Sequence, residues 1–165
     1  MLNIEKWKKN TILRTISSKI EKKELKKYTK LAKEMLKYIK DPENWGVGLA
    51  APQVGYNKRL IIVSLLKDWE DENFPTVIMF NPEILEHSEE TSLSDEGCLS
   101  LPWERWKVAR YQKIKLKYFD EKFNEKILKL EWLKSYIVQH EVDHLNGILF
   151  TDRIEENKNT KNLAF

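Results

Sequence analysis

The chain has 165 residues, 41% hydrophobic and 33% charged, with 29 basic side chains against 26 acidic ones for a net charge of +3. This is the length and composition of one compact globular domain over residues 1–165, and so balanced a charge gives no argument from composition for binding nucleic acid. No stretch approaches the ~20 apolar residues of a membrane span, and Met1 to Asn10 lacks the apolar run of a secretory signal. Cys98 is the only cysteine, so no internal disulfide can form and a reducing cytoplasm is the expected location.

Between Glu21 and Lys40 the apolar residues Leu25, Tyr28, Ala32, Met35, Leu36 and Ile39 recur at the three-and-four spacing of an amphipathic helix. Asp41-Pro42 ends it, because proline disfavours helical geometry in the residue before it. Arg59 to Leu66 and Thr76 to Phe80 are short, apolar and β-branched, which predicts two strands joined by the loop Lys67 to Pro75. Trp106 to Tyr118 partly alternates and Lys126 to Leu130 follows it, so an antiparallel meander is expected. A second helix is predicted from about Trp132 to Asn146, with Gly147 placed to end it. From Asp152 to Phe165 the chain is polar and without period, a tail expected to be partly mobile. Strands lying between two separated helices argue for an α+β fold.

The second helix contains His140-Glu141-Val142-Asp143-His144. Histidines four apart on a helix share one face and can share an ion, with Glu141 beside them as a base. The alternative is two core histidines satisfied by hydrogen bonds. Two imidazoles are too few for a catalytic site, which takes three protein ligands and leaves a place for water. Cys98, in a segment read as a turn, Glu96-Gly97-Cys98-Leu99-Ser100, is a good third candidate because a thiolate suits a borderline divalent ion, although an inert buried cysteine is the commoner case. One Cys and three His exclude a closed Cys₄ or Cys₂His₂ site within one chain, and His87, in an acidic segment, is read as a surface residue. A third segment, Gly46-Val47-Gly48-Leu49-Ala50-Ala51-Pro52-Gln53-Val54-Gly55, has glycines suited to close backbone approach and an amide donor in Gln53 held by Pro52. It lacks the Lys-Ser/Thr ending of a phosphate loop, and a plain packed turn is its other reading.

Taken in order, GVGLAAPQVG, EGCLSLP and QHEVDHLNG resemble peptide deformylase, and the resemblance runs from Ile12-Leu13-Arg14 through Phe150. It implies antiparallel sheets packed around a central C-terminal helix that carries the His-Glu-x-x-His motif. It also implies removal of the N-formyl group from the initiator methionine of nascent polypeptides. On this resemblance Cys98, His140 and His144 are the ligands of one divalent ion, natively Fe²⁺, with Zn²⁺, Ni²⁺ or Co²⁺ able to take its place. Glu141 moves the protons, while the Gln53 amide and the Leu99 backbone N–H stabilise the oxyanion. The peptide lies along the strand edge at Gly48, its methionine among Val47, Leu133, Tyr136 and Ile137, with Arg105 in contact and Arg110 and Asp143 as an ion pair steadying the helix. Tyr136 is bulkier than the aliphatic residue of the pattern, and Ser94 replaces an apolar one. Many bacterial members continue into a long basic C-terminal helix that assists ribosome docking; this chain ends at Phe165 and is not expected to dock by that route. The competing functions are another metallopeptidase with the same helix motif, which would need a different third ligand, and a silent peptide-binding module, which would not need Glu141.

Overall fold

The structure is a computed structural model and describes residues 2–44 and 46–154. A 3-10 turn, Lys22–Glu24, leads into α1, Leu25–Lys40. The helix proper starts later than Glu21 because the Glu24 side chain accepts the Glu21 backbone N–H at 3.0 Å, closing a tight local ring. It stops at Lys40, where Asp41 turns extended before Pro42.

The strands are β1, Gly48–Ala50; β2, Leu60–Ser64; β3, Thr76–His87; β4, Thr91–Cys98; β5, Leu101–Tyr111; β6, Lys113–Phe119; and β7, Glu125–Glu131. They form one sheet in the order β1-β2-β3-β6-β7 and a separate β4-β5 hairpin, with every pairing antiparallel. A second helix, α2, spans Leu133–Leu145. The fold is therefore α+β with antiparallel sheets and an N-terminal helix.

Period-two alternation decides which helix covers which face. In β2, Leu60 and Ile62 join Tyr28, Leu31, Ala32, Met35 and Ile39 of α1 in one core, while Ile61 and Val63 join Ile137, Val138, Val142 and Leu145 of α2 in another. In β3, Ile78 and Phe80 face α1, whereas Met79 faces α2. The large sheet is thus a wall between the two helices.

Three expectations need correction. The segment Trp106 to Tyr118 is two strands in two different sheets, because Gln112 breaks the run: its carbonyl accepts the Trp132 N–H at 2.8 Å and its N–H goes to the Glu90 carbonyl at 3.0 Å. Thr76 to Phe80 continues as strand to His87 past two irregularities in its pairing with β6, one between Phe80 and Glu83 and one between Ile84 and Glu86. The predicted turn Glu96 to Ser100 is half strand, since Glu96 to Cys98 ends β4 and only Leu99-Ser100 turns. The meander is accordingly interrupted by the β4-β5 hairpin. Of the expected tail, residues 152–154 lie in a helical turn; residues 155–165 fall outside the described residues.

Residues 2–20 form no long element, yet their backbone reaches all three motif segments. Glu5 N–H donates to the Gln53 carbonyl at 2.8 Å, Trp7 N–H to Ser100 at 3.1 Å and Ser17 N–H to Leu145 at 2.8 Å. Gly147, at φ +71°, ends the α2 segment where a Cβ would lie 2.6 Å from the Arg14 carbonyl oxygen, so only glycine lets the chains pass.

Candidate metal centre

Helix α2 is buried nearly all round, from Ser135 to Gln139 and from Glu141 to Leu145. Its polar residues therefore need internal partners. Gln139 accepts the Tyr111 N–H at 3.1 Å and donates to the Tyr111 carbonyl at 2.8 Å, joined there by the Ser135 hydroxyl at 2.9 Å. These bonds fix α2 against the end of β5.

With the helix fixed, His140 and His144 turn toward the end of β4. One donor atom from each of Cys98, His140 and His144 lies within 4.8 Å of the others. The Cys98 sulfur is 3.2 Å from His144 Nε2, and the two imidazole centroids are 5.1 Å apart. Burial pushes the Cys98 thiol up, but the adjacent His144 and His140 outweigh it and hold it well below its ordinary value. One thiolate and two imidazole nitrogens make a donor set that fits a borderline divalent ion.

Glu96 does not stand out in the sequence. Its Oε2 meets His140 Nδ1 at 2.8 Å, which leaves Nε2 as the ring's remaining nitrogen. In metal sites an outer carboxylate in such a position orients the ligating imidazole. Glu96 in turn receives a two-pronged bond from Arg110, Nε at 2.7 Å and Nη2 at 2.9 Å. Arg110 also bonds Asp143, which holds Arg153 Nη2 at 2.6 Å, so four alternating charges lead from the end of the described chain to His140. Burial would raise Glu96, but Arg110 and His140 more than offset it and hold it at about 2. The only clue in the sequence was a carboxylate two residues before the cysteine, on the same strand face.

Glu141 is buried like Glu96 but differs in its partners and in its titration. It is 4% exposed, its Oε2 has no hydrogen-bond partner among the described residues, and burial pushes its carboxyl up to about 7 against the opposing pull of the two imidazoles. A carboxyl poised near neutrality in a buried site is suited to moving protons. Room for it comes from Gly48, where a Cβ would stand 2.2 Å from Glu141 Oε1.

Gln53 sits in a 3-10 turn, Ala51–Val54, that follows β1. Its Oε1 accepts the Ala50 N–H at 2.9 Å, which aims Nε2 at Ser100 Oγ, 3.2 Å away, and at the Cys98 sulfur, 3.5 Å away. Leu99 follows Cys98 in the turn and is half-buried. Tyr136 and Ile137 are buried, Val47 and Leu133 are half-buried against the α2 core, and the Tyr136 hydroxyl has no partner among the described residues. Arg105 is exposed on β5 opposite Gly97, and Ser94 is buried. His87 lies at the surface, stacked on Tyr111 with ring centroids 3.7 Å apart. No helix is long and apolar enough to cross a membrane among the described residues.

Compared with known families, residues 1–160 match the model of polypeptide deformylase. The chain belongs to the polypeptide deformylase family. Members of this family are metal-dependent hydrolases that remove N-formyl groups. A peptide deformylase of Brachyspira hyodysenteriae is 45% identical over 150 residues, 87% of this chain and 75% of the relative. That of Prochlorococcus marinus (strain NATL1A) is 42% identical over 80% of this chain, which spans only 63% of that relative's length. Among solved structures, the Met-Ala-Ser-bound class I type b peptide deformylase of Acinetobacter baumannii superposes with a TM-score of 0.82 at 39% identity, over 93% of this chain and 98% of that one. Family membership and these relatives support a deformylase function for the chain.

Proposed function

We propose that the chain deformylates the N-terminal methionine of nascent polypeptides, with Cys98, His140 and His144 as the ligands of one divalent ion. The reading rests on one observation above the others: the sulfur and the two imidazoles converge beside Glu141, a buried carboxylate with one oxygen unpaired among the described residues. The helix bearing His140, Glu141 and His144 is the centre of the catalytic unit, and residues 1–165 make up that single unit. Natively the ion is Fe²⁺, with Zn²⁺, Ni²⁺ or Co²⁺ as substitutes. When bound, it supplies a Lewis acid and makes a water acidic enough to attack at neutral pH.

The protein's own groups do the rest. Glu141 Oε2 takes the proton of the attacking water and later passes it to the nitrogen of the leaving amine. As charge grows on the formyl oxygen, Gln53 Nε2 and the Leu99 N–H donate to it; the bond from Ala50 keeps the amide turned the right way before substrate arrives. The peptide backbone pairs with the edge at Val47 and Gly48, which reads no sequence, and Arg105 contacts it further along. Val47, Leu133, Tyr136 and Ile137 receive the methionine side chain, so selectivity resides there. The substrate's nature puts the reaction where formylated chains leave a ribosome: the cytoplasm, with an organelle's stroma or matrix or a phage-infected host's cytoplasm as the alternatives.

Protein loaded anaerobically with Fe²⁺ is given formyl-Met-Ala-Ser, and formate and free amine are followed. Formate release that vanishes in Glu141→Ala, with the metal retained, is the expected result. Binding without turnover, or cleavage of internal bonds in unformylated peptides, would overturn the assignment.

A further inference from the structure

Five of the six lysines of α1 stand in a single row. Lys26, Lys30, Lys33, Lys37 and Lys40 follow one another at intervals of four and three residues, and all are exposed. At 1.5 Å per residue the row is about 21 Å long, with neighbouring Cβ atoms about 5–6 Å apart. The segment from Lys22 to Lys40 holds eight lysines and two glutamates, a charge of +6, whereas the whole chain carries +3; the other 146 residues therefore sum to −3. The near-neutral total conceals a segregated surface.

The row is also unneutralised. Among the described residues no ion pair reaches any of its five lysines. On β6 and β7, by contrast, Lys113, Lys115, Lys117 and Lys126 each meet a carboxylate. Like charges at helical spacing repel, and solubility alone is served better by interspersed signs, as on that sheet. An uninterrupted line of one sign instead complements a partner that is itself a line of the other sign.

We propose that the outer face of α1 is a docking surface for the sugar–phosphate backbone of RNA. Five long, flexible ammonium groups at a regular step match a run of phosphates, which they neutralise without reading bases. A lipid surface fits less well. Amphipathic helices bind membranes by burying their apolar face, but here Tyr28, Leu31, Ala32, Met35 and Ile39 are already packed on the sheet, and none of the large exposed hydrophobic residues lies on α1. The helix sits across the sheet from α2, so RNA held there leaves Cys98, His140 and His144 uncovered. The inference does not depend on the proposed chemistry.

The probe is a fluorescein-labelled 20-base-pair RNA duplex, titrated with the full chain and read by anisotropy over a salt series. Binding is expected with Kd of roughly 10⁻⁴–10⁻⁶ M and a log–log salt slope of about −4 to −5. K26Q/K30Q/K33Q/K37Q/K40Q is expected to bind at least ~10-fold more weakly and to lose about 4 from the slope. K113Q/K115Q/K117Q/K126Q/K129Q, which removes the same charge from β6 and β7, is expected to bind like the parent. Circular dichroism confirms that each variant folds, and K30Q/K37Q, with a slope smaller by about 2, replaces the fivefold variant if it does not. The proposal fails if the sheet variant loses as much affinity as the helix variant. It also fails if the chain ignores the duplex but binds phosphatidylserine-containing phosphatidylcholine vesicles, or if polyglutamate competes as well as unlabelled RNA.

Discussion

Gly48→Ala tests the geometry around the proposed base without touching a proposed ligand. Gly48 has an ordinary backbone conformation, so only space is at stake. The new Cβ would stand 2.2 Å from Glu141 Oε1, 2.7 Å from Cδ and 2.8 Å from Cγ. Normal contact lies near 3.5 Å, so the carboxylate must withdraw by about 1 Å. A misplacement of that size costs about 10²-fold in rate, or about 3 kcal/mol in the barrier. The expected outcome is a fall of that order in kcat for formyl-Met-Ala-Ser, with metal content by plasma mass spectrometry unchanged. Because the loss acts through one carboxylate, Gly48→Ala/Glu141→Ala should be no slower than Glu141→Ala alone. An alanine variant with parental kcat, or a double variant that is additively slower, would refute the claim that Gly48 serves to make room for Glu141.

Other outcomes follow from the same site. Glu96→Gln removes the carboxylate behind His140, and ion affinity measured by competition with a chelator should fall about 10–100-fold. Arg110→Met leaves Glu96 buried with His140 and Asp143 buried with Arg153, without the cation that joined them, and urea unfolding should show a loss of about 3 kcal/mol; an unchanged midpoint would show that the buried network contributes nothing. In metal-free protein Glu141 holds its proton up to about pH 7, whereas the unfolded chain gives it up near 4.5. Its contribution is therefore fully present below pH 4.5 and is lost as pH rises through 7, about 3 kcal/mol in all. Metal-free Glu141→Gln should lack this decline, and parallel stability curves for parent and variant between pH 4 and 8 would count against the raised carboxyl.

Much of this architecture is legible from local pattern. The stripe Leu25, Tyr28, Ala32, Met35 predicts α1 through its last residue, Lys40, though it sets the start four residues early, and Gly147 marks the end of the α2 segment, because a helix period and a glycine stop are local signals. The hairpin was hidden because β4 reads Thr-Ser-Leu-Ser-Asp-Glu-Gly-Cys, whose burial comes from packing rather than from apolar alternation. At the site, Cys98, His140 and His144 stand out by residue type. Glu96 does not, because its role depends on a strand register that brings it to His140 across 44 positions. The lysine row was invisible to a net charge that sums over the whole surface.

The irregular stretch before α1 has one more implication. It staples Gln53, Ser100 and Leu145 through peptide groups alone, at Glu5, Trp7 and Ser17. An alanine scan, which edits side chains and spares amides, would pass over this strap and report those positions as dispensable. Proline, which deletes the N–H, would unpick one staple at a time.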